Sequence, residues 1–386
     1  MTGADVICFA KDWDDHPTSN NHVMRRLARR NRVLWVSSIG MRRPTASGRD
    51  LRRILAKVRA GVAGARHVVD GLHVLQPLVL PLPHSPAATA FNRRWLAATI
   101  RRAARRLGMG RPQVWTFLPN TVDYATDLDP ALLVYYCVDD WAHAEGYDGP
   151  GLAAMERRLC ERADVVFATS ASLAAAKAAW NANTHPAPHG VDHAHFARAL
   201  DPATPVAPEI ARLGAPAIVV VGLLDERVDL ALLARVAKHR PDRPIVLVGP
   251  AHVDLGPLVA AHPNVHVLGH RPYAKLPELL KGCGVALVPF VLNAYTRHVN
   301  PVKLREYLSA GLPVVSTDLP EVARYRRFCR IGRDGRELLA AIDQALADDA
   351  PAERRARSEA MRGETWEHRI AEIERVVDRA RPARAA

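Results

Sequence analysis

Short, nearly continuous apolar runs alternate with amphipathic stretches along the whole chain. Residues 6–10, 32–38, 72–76, 113–117, 132–138 and 163–169 have the form of strands buried on both faces of a parallel sheet. Residues 22–30, 92–107 and 155–162, lying between them, repeat apolar positions at helical spacing. The rhythm resumes with strands at 216–222, 244–249, 265–269, 285–289 and 313–317, and helices at 230–238, 276–281 and 300–310. Strand–helix alternation of this kind predicts an α/β fold of parallel, doubly wound sheets, and the strands between 216 and 289 end in turn residues on the edge where ligands bind.

A chain of 386 residues is too long for one ordinary core and suits two domains. Pro202, Pro205 and Pro208 punctuate a stretch with little apolar periodicity, which marks a linker. The expected division is 1–196, a linker at 197–213, 214–365, and a closing helix from Trp366 whose tail, from Arg379 onward, is expected to lack structure.

The formal net charge is +13, and arginine pairs crowd the first half: Arg25–Arg26, Arg52–Arg53, Arg93–Arg94, Arg101–Arg102, Arg105–Arg106. In 51–59 and 95–107 they interleave with apolar residues, as in helices that lie on an anionic membrane surface or simply solvate themselves with arginine. No aromatic-interleaved basic strand or zinc finger points to nucleic acid. No run of eighteen apolar residues exists, so a spanning helix is not expected. The chain opens directly on a strand, and five cysteines (Cys8, Cys137, Cys160, Cys283, Cys329) lie scattered without a CxxC, which together suggest a cytoplasmic protein with reduced thiols.

Candidate chemistry concentrates at 300–317. Lys303 and Glu306 stand one helical turn apart and share a helix face; Gly311 stops the helix ahead of the strand 313–317. The pair is either an exposed ion pair or a cation for phosphate beside a carboxylate for ribose hydroxyls. With Asn300 before it, this segment resembles the donor-sugar signature of glycosyltransferases with two facing Rossmann-like domains, the GT-B architecture. His189-Gly-Val-Asp192 and Phe196 resemble that family's segment before the linker. Gly222 with the loop to Arg227 and Asp229 resembles its phosphate loop, and 269–277, with Arg271 and Tyr273, its base-reading loop. The likeness is nearest the family 1/4-like bacterial polysaccharide branch, of teichuronic-acid type.

The resemblance implies a nucleotide-sugar donor, UDP-sugar first, held by Gly222, Arg227, Arg271, Tyr273, Asn300, Lys303 and Glu306, with no metal and no separate cofactor. Lys303, Arg227 and the amides after Gly222 would stabilise the leaving diphosphate. Many retaining members carry a second glutamate eight positions earlier; here that residue is His298. The acceptor, a saccharide or lipid-linked saccharide, belongs to the first domain, where Asp139, Asp140 and His22 are candidate general bases. Asp139 and Asp140 have the competing reading of a helix N-cap. The expected activity is glycosyl transfer in exopolysaccharide or cell-envelope assembly, in the cytoplasm or peripheral on the inner membrane. The alternatives are a nucleotide-sugar epimerase and a non-catalytic membrane-associated partner in a polysaccharide machine.

Overall fold

A computed structural model of the protein describes residues 1–15, 17–39, 64–80, 86–144 and 146–380. The amphipathic stretch 51–59 and tail residues 381–386 lie outside them. The chain divides into two compact units, Met1–Pro188 with Arg369–Ala386, and His189–His368.

The first unit holds an eight-stranded sheet built from β1 (Asp5–Phe9), β2 (Arg32–Val36), β3 (Arg66–Val69), β4 (Leu72–Leu75), β5 (Gln113–Thr116), β6 (Leu132–Cys137), β7 (Val165–Ala168) and β8 (Thr184–Pro186). Their order is β3-β4-β2-β1-β5-β6-β7-β8. Every pairing is parallel except β3 with β4. Ile7 of β1 lies opposite Leu34 of β2 and Val114 of β5, so the central strands stack apolar residues in register. Helices Pro86–Arg106 and Gly149–Arg162 cover one core with Leu96, Ile100, Leu159 and Cys160.

The second unit carries β9 (Ala217–Val221), β10 (Ile245–Val248), β11 (Val265–Gly269), β12 (Cys283–Val288), β13 (Val314–Thr317) and β14 (Cys329–Gly332), all parallel. Their order, β11-β10-β9-β12-β13-β14, reverses direction between β9 and β12. In open α/β sheets that switch point is where ligands bind, outside the carboxyl ends of the strands. Two apolar layers sandwich the sheet, one with Leu304, Tyr307 and Leu308, the other with Leu232, Val236 and Ile342. Each such fully buried aliphatic side chain contributes about 1.5–3 kcal/mol.

The doubly wound α/β class read from the pattern is the observed one. Other details differ. Within 197–213, Arg198–Leu200 and Pro208–Ala211 are helical, and Ala199, Ala207 and Ile210 pack into the second unit's apolar core. The first helix starts at Ser19 rather than near His22, because Thr18 is extended and the Asn21 side chain accepts the Thr18 amide at 3.0 Å. The last helix, Trp366–Ala380, continues through Arg379, which the sequence assigned to the tail.

Candidate active site

In the second unit the glycine ends of three neighbouring strands set the geometry. Gly222 (φ +151°), Gly249 (φ +140°) and Gly269 (φ +66°) follow or close β9, β10 and β11. Their backbones are tied in sequence: Gly222 donates to the Val248 carbonyl and Gly249 to the Gly269 carbonyl, each at 2.9 Å. A Cβ on Gly249 would sit 1.7 Å from the Gly222 carbonyl oxygen, so only glycine lets the two chains pass. The chain then turns through Leu223–Asp229, and Asp229 caps the next helix by accepting the Leu232 amide at 2.7 Å.

Helix Val302–Ser309 enters this edge after β12. It ends as the sequence predicts: Gly311 (φ +79°) donates to the Leu308 carbonyl and Leu312 to the Tyr307 carbonyl, a Schellman closure. Tyr307, fully buried, accepts the Val221 amide at 2.7 Å and so fastens the helix to the end of β9. That bond fixes how far Lys303, one turn before Tyr307, and Glu306, next to it, stand from Gly222. Lys303 Nζ donates to Glu306 Oε2 at 2.6 Å, and Lys303 Cγ lies 4.0 Å from where a Cβ on Gly222 would be. The Glu306 side chain is only 8% exposed and that of Lys303 29%. A surface i,i+3 pair would leave both in water, so burial of the carboxylate sets this one apart.

Arg227 joins the same edge. Val228 bridges Phe290 beyond β12, and Val291 donates to the Arg227 carbonyl at 2.8 Å. Its guanidinium is gripped by the buried Asp225, Nε to Oδ1 at 2.8 Å and Nη2 to Oδ2 at 2.6 Å, above the Phe290 ring. Gly222, Arg227, Lys303 and Glu306 are therefore held on adjoining segments at the switch point.

The remaining donor candidates have other partners. Asn300, buried, accepts from Arg305 Nη1 at 2.7 Å; Arg305 also reaches Glu364, which Tyr325 bonds in turn. Arg271 donates to Glu209 at 2.9 Å and to the Leu268 carbonyl. A backbone hydrogen bond and the Arg271 guanidinium hold the Glu209 carboxyl below the usual range. Tyr273 stacks on His195 at 4.6 Å between ring centroids, and its carbonyl meets His195 Nε2 at 2.9 Å.

In the first unit Asp139 and Asp140 follow β6, and the N-cap reading fails. The next helix begins at Gly149, capped by Asp148, whose carboxylate accepts the Gly151 amide. Asp140 is buried and its Oδ2 lies 2.8 Å from His143 Nδ1. His22 Nδ1 lies 3.4 Å from Arg26 Nη1 on its own helix. The sequence reading missed three donors in this unit. Asn21 Nδ2, Gln76 Nε2 and Trp141 Nε1 are buried with no hydrogen-bond partner among the described residues, and follow β1, β4 and β6 in the chain. Nothing in the sequence marks them, since lack of a partner is a property of the folded surroundings.

Residues 227–375 match the family model described as "Glycosyl transferase-like". A Bacillus subtilis (strain 168) protein named as a teichuronic acid biosynthesis glycosyltransferase, TuaH, is 26% identical over 214 residues, 50% of this chain and 52% of that protein. The alignment thus spans about half the length of this curated relative. Sucrose-phosphate synthase from Thermosynechococcus elongatus superposes with a TM-score of 0.70 at 16% identity, covering 97% of this chain and 98% of that one. HepE from Anabaena, solved in complex with UDP, gives 0.65 at 15% identity over 97% and 100%. The fold is GT-B. Within it the glycosyl transferase-like match takes in Arg227, Arg271, Tyr273, Asn300, Lys303 and Glu306. Among the described residues no helix is long and apolar enough to cross a membrane.

Proposed function

We propose that the protein transfers a sugar from a nucleotide-sugar, UDP-sugar first, to a saccharide acceptor in cell-envelope or exopolysaccharide assembly. The observation that carries this reading is the buried Glu306 carboxylate paired with the half-buried Lys303 and tied through Tyr307 to the glycine end of β9, at the sheet's switch point. A nucleotide diphosphate leaving group develops negative charge as the glycosidic bond breaks. Lys303 Nζ and the Arg227 guanidinium supply positive charge beside the amides that follow Gly222, which lowers that barrier electrostatically. Glu306 keeps acceptor lone pairs that suit the cis-diol of a ribose. The relative of teichuronic acid name and the UDP-bound neighbour favour the same chemistry.

The first unit receives the acceptor in this reading. Unpartnered buried donors are costly in a folded protein unless a ligand completes them. Asn21, Gln76 and Trp141 are therefore suited to the oxygens of a polyhydroxylated acceptor. Asp140, with His143 against it, is the leading candidate for the group that takes the acceptor's proton, ahead of Asp139 and His22. A lipid-linked acceptor and peripheral attachment to an anionic membrane fit the arginine-rich first half.

The test is a thermal-shift titration with UDP, GDP, ADP and dTDP on the wild type and on Glu306→Ala. Stabilisation of the wild type by one nucleotide, with the shift abolished in the variant, supports the donor site and names the base. No stabilisation by any of the four overturns the reading in favour of a partner that does not turn over nucleotide-sugar.

A further inference from the structure

Helix Pro86–Arg106 presents an outward face that the core does not use. Its inward side is Leu96, Ile100 and Ala103, buried under the first sheet. Opposite them, at helical spacing, run Phe91, Trp95, Arg102 and Arg106, flanked by Arg94 and Arg105. Phe91 is 51% exposed and Trp95 48%, and their rings stack nearly parallel (9°) with centroids 6.2 Å apart. Leu80, 45% exposed, is held beside the helix by Asn92, whose amide group both donates to and accepts from the Leu80 backbone at 3.0 and 2.8 Å. Two large aromatic rings left in water on a helix whose other side is packed are unusual for a surface that meets only solvent. Along the chain the stretch that holds them is one-signed: between Asp70 and Asp123 the sequence has no carboxylate. Within the helix, Arg93 pairs with Asp127, and Arg101 reaches the Asp127 carbonyl. Arg94, Arg102, Arg105 and Arg106 all lie exposed.

Building on the membrane attachment proposed above, we propose that this face docks on an anionic lipid surface, with Phe91, Trp95 and Leu80 entering the headgroup region and the arginines on lipid phosphates. Charge complementarity selects this occupant. A protein partner would have to match a row of guanidinium groups with carboxylates, whereas an anionic bilayer meets every one of them without specific pairing. Indole and phenyl rings are the side chains that settle at the apolar–polar boundary of a bilayer, and a helix lying flat on it buries one side only.

The experiment is co-sedimentation of the full chain with phosphatidylglycerol-containing vesicles, compared with pure phosphatidylcholine vesicles, at low and high salt. The variants are Phe91→Ser/Trp95→Ser and Arg102→Ala/Arg106→Ala. The wild type is expected to pellet with the anionic vesicles and to be released by salt. The aromatic pair of substitutions should weaken partition at least about tenfold. The arginine pair should weaken it by about tenfold as well, on anionic vesicles only. Thermal shift with the nucleotide should be unchanged in both, since these residues lie outside the candidate active site. A wild type that pellets while the aromatic variant pellets equally well overturns the assignment of this face and leaves membrane attachment standing. A wild type that does not pellet at all overturns both. A concentration-dependent dimer abolished by Phe91→Ser/Trp95→Ser, without vesicle binding, gives the face to a second copy instead.

Discussion

At Trp141 one hydrogen atom separates a structural role from a binding one. The indole N–H is buried after β6 and has no hydrogen-bond partner among the described residues, while its ring packs edge-on to Tyr147 at 6.2 Å. Trp141→Phe keeps most of the ring contact and removes only the donor. If the acceptor supplies the missing oxygen, KM for acceptor rises about tenfold with kcat and donor affinity little changed, because one neutral hydrogen bond is worth about 0.5–1.5 kcal/mol. Steady-state kinetics with each substrate varied in turn checks this, and an unchanged acceptor KM removes Trp141 from the site. The two halves of the candidate site differ in how far they could be read in advance. Lys303 and Glu306 were legible because a three-residue spacing on a helix is local and fixes a shared face. The burial of Glu306 was not, since it depends on Tyr307 meeting the end of β9 at 86 residues' separation. Asn300 shows the opposite limit: its neighbour Lys303 fits the expected edge, while its own side chain is engaged by Arg305. Sequence spacing does not say which way a loop side chain turns.

Element by element, strands buried on both faces were legible, and of the edge strands only β11, with its alternating Val265, Val267 pattern, was read. β1, β2, β6 and β9 are runs of buried apolar residues and were read within a residue or two. β3 (Arg-His-Val-Val), β8 (Thr-His-Pro) and β14 (Cys-Arg-Ile-Gly) lie at sheet edges, are three or four residues long and carry no apolar signature. Two elements are joined by a polar contact that no periodicity could show. Glu156 of helix Gly149–Arg162 and Lys177 of helix Ala171–Ala178 meet at 2.7 Å, both buried, and Glu156 also accepts from the Tyr135 hydroxyl at 2.6 Å. Burial works against the Lys177 ammonium, but the charge and hydrogen bond of Glu156 beside it help hold the proton, and its pKa is raised. Lys177→Met strands a buried carboxylate and should destabilise the protein by about 3–5 kcal/mol, whereas Glu156→Gln/Lys177→Met should recover a large part of that. Urea unfolding of the wild type, single and double variants decides it; an additive double variant would show that the two do not act as a pair. Strand ends give a second prediction at this scale. Gly249→Ala forces a methyl group into the Gly222 carbonyl, so it should cost about 3 kcal/mol. Nucleotide-induced stabilisation should also fall, as Gly222 is displaced from the Lys303 side. A Gly249→Ala protein with wild-type melting and wild-type nucleotide response would contradict the glycine-to-glycine packing.

For the molecule as a whole, the second unit holds every part of the proposed donor site within one continuous stretch. Its sheet, both apolar layers and the Gly222, Arg227, Lys303 and Glu306 edge all fall within His189–His368. The stretch begins with a contact to its own end: Val191 donates to the Glu364 carbonyl at 2.9 Å and Thr365 bridges Val191. Gly190 is packed so tightly against Trp366 that a Cβ there would come within 2.6 Å of its backbone. Trp366, buried, closes the unit two residues before its boundary. A fragment of residues 189–368 should therefore unfold cooperatively by itself, because chain ends that pin each other lower the entropy lost on closing the unit. It should bind the nucleotide found by thermal shift with a Kd within about threefold of the full chain, since no assigned donor contact comes from the first unit. The first half carries the arginine-rich helices, so the fragment should not pellet with anionic vesicles. Isothermal titration and co-sedimentation on one preparation test both halves of the expectation. A folded fragment that has lost nucleotide affinity by a hundredfold would mean that the first unit holds part of the donor. A fragment that still pellets would move membrane attachment away from helix Pro86–Arg106 while leaving the donor site where it is.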